Sequence, residues 1–296
     1  MDLRALSYFV AVAEERNFGR AAARLHMTQP PLSRAIRQLE TDLGAVLLDR
    51  SSAPLTLTSA GTALYDEARL LLDQAEHVRA RVAATAGTAA LTVGILADSA
   101  EQAGARLAAA FRQRHPGVLV TFRETDFSDP TAGLRAGLAD VAITLAPFDD
   151  SGISTHVLRT YPMGVVLRAD DPLAGRGSLR LADLADRRWF RLPDGTDPVW
   201  RSYWEGTGPG GVPRDGPVVR TVHECLQAVL WNGSIGLAPL IHELPEGLVT
   251  VRLADMPPSR LIIAWTRAST NPLIRSFARI AADSYRGTAD TTVRSG

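Results

Sequence analysis

Lysine is absent from this sequence of 296 residues, and all 32 of its basic residues are arginine. Without lysine, the chain has no lysine Schiff base and no nucleotide-binding P-loop, whose motif requires that residue. Cysteine occurs once, as Cys225. One cysteine excludes an internal disulfide, a zinc site built from several cysteines and a two-cysteine redox switch within one chain.

Net charge and long apolar runs are also lacking. The 32 arginines are balanced by 32 acidic residues, and residues 1–60 hold seven arginines against six acids. A basic patch in that region is therefore local, formed by Arg34, Arg37 and Arg50. No apolar run approaches the roughly 20 residues that span a bilayer, and no signal-peptide pattern follows Asp2. We expect a soluble cytoplasmic protein with no membrane contact.

The stretch FGRAAARLHMTQPPLSRAIRQLETDL, residues 18–43, predicts a short helix, a tight turn and a longer helix. Small residues in the short helix allow close packing. In the longer helix, apolar residues recur at i, i+4, i+7 and i+11 and form one stripe; they are Leu32, Ile36, Leu39 and Leu43. Thr28 is expected to cap this helix, and Pro30 and Pro31 fall in its first turn, where a missing N–H group costs nothing.

The other face of the longer helix begins with Gln29, Ser33, Arg34 and Arg37. Amide, hydroxyl and guanidinium groups are those that read base edges and hold phosphates. A helix with a buried inner face and such groups near its N-terminus is typical of the recognition helix of a helix-turn-helix. Spacing alone leaves an ordinary helical hairpin with a solvated outer face as the alternative.

The region after this motif predicts a two-stranded wing and then a long helix at residues 59–87. Apolar residues in that helix alternate spacings of 4 and 3, as in a coiled coil; they are Leu64, Ala68, Leu71, Ala75, Val78 and Val82. The pattern favours dimerisation, which would set two recognition helices about one DNA turn (~34 Å) apart. A single helix packed on its own domain is the alternative, because the seam is shorter than three heptads.

From Leu91 onward, apolar strands alternate with helices, which predicts a parallel sheet with helical crossovers. A short helix is expected between Pro130 and Gly137. A second set of the same kind begins at MGVVLR (163–168) and includes RWFRL and VVRTV as strands. The chain is expected to close with a helix at 272–285, before a polar tail.

These motifs, in this order, resemble the LysR-type transcriptional regulators. The segment FVAVAEERNFGRAAARLHMTQPPLSRAIRQLETDLG is similar to the family's DNA-binding signature, and LTLTSAG is similar to the opening of its linker helix. The phrases FRQRHPGV, RAGLADVAI, DDPLA, LADLA, IGLAP and AWTR follow in the family's order. The resemblance runs from residue 1 to about residue 286.

The resemblance implies an α+β multidomain fold. A winged helix-turn-helix would occupy residues 1–58, with the helix-turn-helix itself at 18–37, and the linker helix would occupy 59–87. A two-lobed α/β effector domain like type 2 periplasmic binding proteins would follow, with lobe 1 at 91–162 and 267–296 and lobe 2 at 163–266. The family pattern also implies a homodimer through the linker helix and a homotetramer, with RNA polymerase as a candidate partner and no cofactor or metal besides a small-molecule effector.

The residues expected to face DNA are carried over from the family motif: Thr28, Gln29, Pro30, Ser33, Arg34, Arg37 and Arg50. Ala53 stands where family wings often carry a second arginine, which puts one minor-groove contact in doubt.

Ligands of open α/β sheets bind beyond the carboxyl ends of strands. The first strand ends at Leu96, so Asp98, Ser99 and Ala100 are expected to line the cleft. The other candidate effector contacts are Phe127, Ser128, Trp200 and Arg201, with Tyr203, Trp204 and Trp231 as further aromatic walls. Ordinary core packing is the alternative for each aromatic residue. These candidate residues, taken together, favour an apolar or aromatic effector.

Three alternatives stay open beside an effector-sensing regulator. A ligand-independent DNA-binding regulator would have a plugged apolar cleft. An enzyme on a periplasmic-binding-like fold is disfavoured, because the sequence has no glycine-rich phosphate loop, metal-spaced histidine pair or recognisable Ser-His-Asp motif. Cys225, early in a predicted helix, is either a one-cysteine redox sensor or a buried apolar residue. We expect no enzymatic activity.

Overall fold

The computed structural model of the chain describes residues 2–49, 55–85, 89–96, 104–208, 215–240 and 244–286. The chain divides into two compact units, Met1–Val82 and Ala83–Gly296. Within the described ranges, none of the helices combines the length and the apolar character needed to cross a bilayer.

Three helices build the first unit: α1 (Leu3–Glu15), α2 (Phe18–Arg24) and α3 (Gln29–Leu43). Side chains cap the first two helices, because Asp2 accepts a hydrogen bond from the backbone N–H of Ala5 and Asn17 accepts one from that of Arg20. Gly44 ends α3 in the left-handed conformation at φ 63°, which glycine adopts without strain.

The core of the first unit contains the apolar stripe of α3. Leu32, Ile36 and Leu39 are at most 1% exposed, and they pack with Phe9 and Val12 of α1 and with small residues of α2. Leu43, the fourth member of the predicted stripe, is 40% exposed at the last residue of the helix. The buried stripe therefore covers three residues rather than four.

The wing consists of two short antiparallel strands, β1 (Leu48–Asp49) and β2 (Thr56–Leu57). Helix α4 (Ser59–Thr85) follows directly, and Thr58 caps it by accepting a hydrogen bond from the N–H of Gly61 over 3.0 Å. The wing residues Arg50 and Ala53 lie outside the described residues, as do residues 86 and 87 of the predicted linker helix.

The second unit begins with a five-stranded sheet in the order β4-β3-β5-β10-β6. Its strands are β3 (Ala90–Leu96), β4 (Leu119–Thr125), β5 (Val141–Ala146), β6 (Ile153–Tyr161) and β10 (Ser259–Thr266). Strands β4, β3 and β5 run parallel, as predicted, and β10 lies antiparallel between β5 and β6. Helices α5 (Gly104–Arg114) and α8 (Pro272–Arg286) pack on this sheet through a shared apolar core.

A smaller sheet in the same unit has the order β8-β7-β9. It is formed by β7 (Met163–Arg168), β8 (Gly236–Pro239) and β9 (Leu248–Arg252), with α6 (Pro198–Trp204), α7 (Val222–Asn232) and a short 3-10 helix, Leu181–Leu184, in the intervening chain. Both strand pairs are antiparallel. The predicted strands RWFRL and VVRTV form only isolated bridges. These bridges are parallel, so the expectation of a second parallel set holds for them but is wrong for the three-stranded sheet, in which β8 and β9 both pair antiparallel with β7.

Two further expectations fail for physical reasons. The expected helix between Pro130 and Gly137 is a series of turns, since Ala132 and Gly133 have φ values of 50° and 86°, which a helix cannot contain.

The lobe boundary at residue 266 placed β10 with the smaller sheet, whereas β10 joins the larger one. Leu261, Ile262, Ile263 and Ala264 are all buried, as expected of a central strand covered on both faces. Residues 287–296, the end of predicted lobe 1, lie outside the described residues.

Gly61 generates a stability prediction, because a Cβ atom there would lie 2.0 Å from the carbonyl oxygen of Leu47. We expect Gly61→Ala to lower the free energy of unfolding of the first unit by about 1–3 kcal/mol, as for other overpacked sites. Hydrogen exchange of the Thr58 amide, which donates to Leu47 over 3.1 Å, gives the local readout. Gly104→Ala is the control, since a Cβ there meets nothing within 4 Å. Unchanged Thr58 exchange in Gly61→Ala would contradict this close packing.

Candidate nucleic-acid interface and ligand cavity

The N-terminal half of α3 presents a polar surface to solvent. Since Leu32 and Ile36 face the core, residues between them turn outward, and Arg34 and Arg37 are exposed while Ser33 is half-buried. The remaining predicted DNA contacts at the start of the helix are exposed as well: Thr28, Gln29 and Pro30. Six of the seven predicted residues therefore lie on or beside one helical end, and Arg50 lies outside the described residues.

The predicted capping of α3 by the Thr28 side chain is not present. Thr28 occupies the N-cap position with an extended backbone, but its side chain makes no capping hydrogen bond. Pro30 and Pro31 lie in the first helical turn and carry no N–H group, which removes two of the donors that a cap usually serves. The Thr28 hydroxyl is consequently left exposed beside Gln29.

The arginines of α3 differ from those of α2 in their partners. On α2, Arg24 Nη1 lies 2.7 Å from Glu14 Oε2, and Arg20 Nε lies 3.4 Å from Glu15 Oε2. Arg34 and Arg37 form no ion pair with any described residue. The positive charge of the first unit is thus uncompensated along the outer face of α3, where a polyanion could approach it.

Glu40 connects α3 to the wing. Its Oε1 accepts hydrogen bonds from the backbone N–H groups of Leu47 and Leu48, over 3.0 and 3.4 Å. Thr58 adds a second connection, because its hydroxyl donates to the carbonyl oxygen of Val46 over 2.7 Å. These bonds fix the position of the wing relative to the exposed face of α3.

The predicted seam of α4 divides into two parts. Leu64 packs on the core of the first unit and Ala68 is fully buried. Further along the helix, Leu71 and Val78 are 46% and 49% exposed, with Ala75 half-buried between them. The side chain of Val82 lies outside the described residues. The second half of the seam is thus an exposed apolar stripe on one helix face.

A cavity of about 280 Å³ lies in the second unit. Leu96, Phe127 and Leu145 contribute from the carboxyl ends of β3, β4 and β5, and helices α6 and α7 and strand β8 contribute most of the other walls. None of the described lining side chains is charged, and apart from the two indole N–H groups and the Cys225 thiol they are apolar. This location beyond the strand ends is where open α/β sheets bind ligands.

Of the four predicted effector contacts that the structure describes, two line this cavity and two do not. Phe127 and Trp200 line it. Ser128 is exposed and donates a hydrogen bond to Asp126 instead, and Arg201 is not among the lining residues. The last three, Asp98, Ser99 and Ala100, lie outside the described residues. The predicted effector contact by Arg201 therefore finds no support in the structure.

The other candidate aromatic walls have three different environments. Trp204 lines the cavity. Tyr203 packs in a separate core and donates its hydroxyl hydrogen to the carbonyl oxygen of Pro257 over 2.7 Å. Trp231 is 77% exposed and donates to Gln227 over 2.6 Å.

Comparison with models of known protein families identifies the family of this chain. Residues 3–62 match the model of the bacterial regulatory helix-turn-helix proteins of the lysR family, and residues 84–286 match that of the LysR substrate binding domain. The chain belongs to the LysR family of bacterial transcriptional regulators. It is a LysR-type DNA-binding regulator with an effector-binding domain, as the sequence predicted.

Individual relatives agree with this assignment. The HTH-type transcriptional regulator ShiR of Corynebacterium glutamicum is 32% identical over 299 residues, which cover 97% of this chain and 100% of ShiR. AlsR of Bacillus subtilis is 33% identical over 188 residues, 63% of this chain, and the match spans only 62% of AlsR. The crystal structure of full-length CbnR complexed with its target DNA is similar with a TM-score of 0.53 at 26% identity, covering 96% of this chain and all of that one.

Sequence reasoning missed most of the α7 wall in this LysR-family chain. Val222, Cys225, Leu226 and Val229 all line the cavity. Their spacing of i, i+3, i+4 and i+7 marks one apolar helix face, so the signal was present in the sequence. The pattern alone does not distinguish a helix face that fills a core from one that borders a cavity.

Cys225 is half-buried in this wall. Burial raises the pKa of the thiol far above its ordinary value, and the nearby negative charge of Glu224 raises it further. Because the thiolate is the reactive form, a raised pKa makes the side chain a poor nucleophile at physiological pH. This environment favours the buried apolar interpretation over a redox sensor.

We therefore expect a thiol-specific reagent at pH 8 to label Cys225 far more slowly in the native protein than in urea. The chain has one cysteine, so the urea-unfolded protein is its own control and needs no substitution. Labelling would be followed by mass spectrometry over time. Native labelling as fast as that of the unfolded chain would contradict a half-buried thiol with a raised pKa.

Proposed function

We propose that this regulator reads DNA with the exposed face of α3. The contact residues would be Thr28, Gln29, Pro30, Ser33, Arg34 and Arg37, with Arg50 of the wing on the phosphate backbone. The observation that carries this proposal is the lack of ion pairs at Arg34 and Arg37 among the described residues, beside arginines of α2 that are paired. Glu40 supports it by holding the wing against the same helix.

Arg34→Ala tests this assignment. If Arg34 reads a base pair in bidentate fashion, the substitution weakens specific DNA binding by about 1–3 kcal/mol and relaxes sequence preference at one position. Binding would be measured by fluorescence anisotropy with operator and unrelated duplexes at fixed salt. Arg24→Ala is the matched control, because Arg24 already pairs with Glu14. Equal affinities of Arg34→Ala and the unsubstituted protein for every duplex would reject the role.

We propose that the exposed stripe of α4 joins two copies of the chain and that two dimers form a tetramer. Leu71, Ala75 and Val78 form the contact, continued by Val82. Isolated exposure of single apolar residues is ordinary, but here Leu71 and Val78 recur at heptad spacing on one face. In this proposal, residues 1–58 bind DNA, residues 59–87 form the dimer contact, and the lobes after residue 90 bind the effector.

Leu71→Asp places a charge in this seam and should reduce the molecular mass in solution, measured by light scattering or analytical ultracentrifugation. Leu70→Asp is the matched control, because Leu70 is 48% exposed but lies one position outside the seam. We expect the control to keep the mass of the unsubstituted protein. An unchanged mass for Leu71→Asp would show that the stripe is not an interface.

We propose that the cavity is the effector site and that its occupant alters DNA binding and the contact with RNA polymerase. The cavity has room for a small molecule, which favours effector sensing over a ligand-independent regulator with a plugged cleft. An effector shifts the regulator only if it binds two arrangements of the chain with different affinity. The described walls favour binding rather than catalysis, since the one titratable side chain among them, Cys225, is a neutral thiol.

A further inference from the structure

The described walls of the cavity carry no charged side chain. Its volume of about 280 Å³ lies near the lower limit of ligand pockets, about 300–1,000 Å³. Burying an isolated carboxylate in such surroundings is strongly unfavourable unless a cation pairs with it. The size and composition of the cavity thus favour one small uncharged molecule.

Several charged groups beside the walls are already engaged. Arg220 Nη1 lies 3.8 Å from Asp126 Oδ2, and the backbone N–H of Arg220 donates to Glu224 over 2.6 Å. On another side, the carboxyl group of Glu205 is buried and accepts a hydrogen bond from the N–H of Leu192, a wall residue, over 2.9 Å. Three acidic side chains beside the walls, one of them paired with an arginine, disfavour an anion further.

Two tryptophan rings that line the cavity carry N–H groups without an acceptor among the described residues. Trp200 and Trp204 both line it, with ring centroids 5.1 Å apart. Nε1 of each indole is buried and has no hydrogen-bond partner among the described residues. An unsatisfied buried N–H group costs more than a made hydrogen bond gains, so a ligand oxygen that accepts from either indole would bind with a clear advantage.

We propose that the cavity binds a small uncharged aromatic compound whose carbonyl or ether oxygen accepts a hydrogen bond from an indole N–H group of α6. This ligand class rests on the proposed function, in which the cavity is the effector site. The apolar walls hold the ring of the ligand, and Trp200 and Trp204 select for the oxygen. Carboxylates of the same shape are disfavoured, because none of the described wall residues carries a cation.

Three nearly isosteric probes separate charge from hydrogen bonding: acetophenone, ethylbenzene and benzoate. Binding to the full-length protein would be measured by isothermal titration at neutral pH, with tryptophan fluorescence as a second readout. We expect acetophenone to bind about tenfold more tightly than ethylbenzene, as one recovered hydrogen bond predicts. Benzoate should bind more weakly than both. Benzoate binding as tight as that of acetophenone, or no acetophenone binding, would overturn the proposal.

Tryptophan-to-phenylalanine variants test the donors. Trp204→Phe and Trp200→Phe keep an aromatic ring and remove the N–H group, so at least one should lose the preference for acetophenone over ethylbenzene while ethylbenzene affinity changes little. Trp204→Phe is the safer variant for folding, because Trp200 is 1% exposed in the core. Trp231→Phe is the matched control, since Trp231 is exposed and outside the cavity lining. A preference retained in both cavity variants would overturn the role of the indoles.

A separate readout keeps this proposal distinct from the proposed function. Footprinting on DNA would be repeated with each probe that binds. Acetophenone that binds without changing the footprint supports the ligand class and counts against effector sensing through this cavity. Benzoate that binds more tightly and changes the footprint has the opposite meaning: the cavity is the effector site, and the ligand class is wrong.

Discussion

Burial of three side chains on α3 determines the rotation of that helix about its axis. Leu32, Ile36 and Leu39 are almost fully buried against α1 and α2, so the residues between them must face solvent. The exposure of Arg34 and Arg37, the proximity of the wing through Glu40 and the proposed DNA contact all depend on this orientation. A change that turned the helix would bury cations without partners, at a large cost in free energy.

In the second unit, the chain passes between two sheets at two places. Strand β6 leads directly into β7 through Pro162, and the segment after β9 returns to the larger sheet as β10. The apolar cavity has walls from both sheets, including Leu145 of β5 and Val166 of β7. A ligand in contact with both sheets is well placed to favour one arrangement of them, which is the physical requirement for an effector.

The sequence predicted the first unit well because its signals are local. Cap residues, the spacing of Leu32, Ile36 and Leu39, and the wing follow from neighbours within one or two turns, although the Thr28 cap failed beside two prolines. In the second unit, the pairing of strands depends on segments that are far apart in the sequence. The parallel order of β3, β4 and β5 was predictable from alternation, whereas the antiparallel β7 and the return of β10 were not. Trp200 was predicted as a cavity wall, but no local pattern reveals that its N–H group lacks an acceptor.

Footprinting of the full-length protein on the intergenic region beside its own gene, at physiological salt, tests DNA reading by α3 most directly. The measurement would be made with and without uncharged aromatic compounds. We expect a protected, sequence-specific site whose boundaries change when one such compound is added. The absence of any specific protection would contradict the assignment of the exposed face of α3 as the DNA-reading surface.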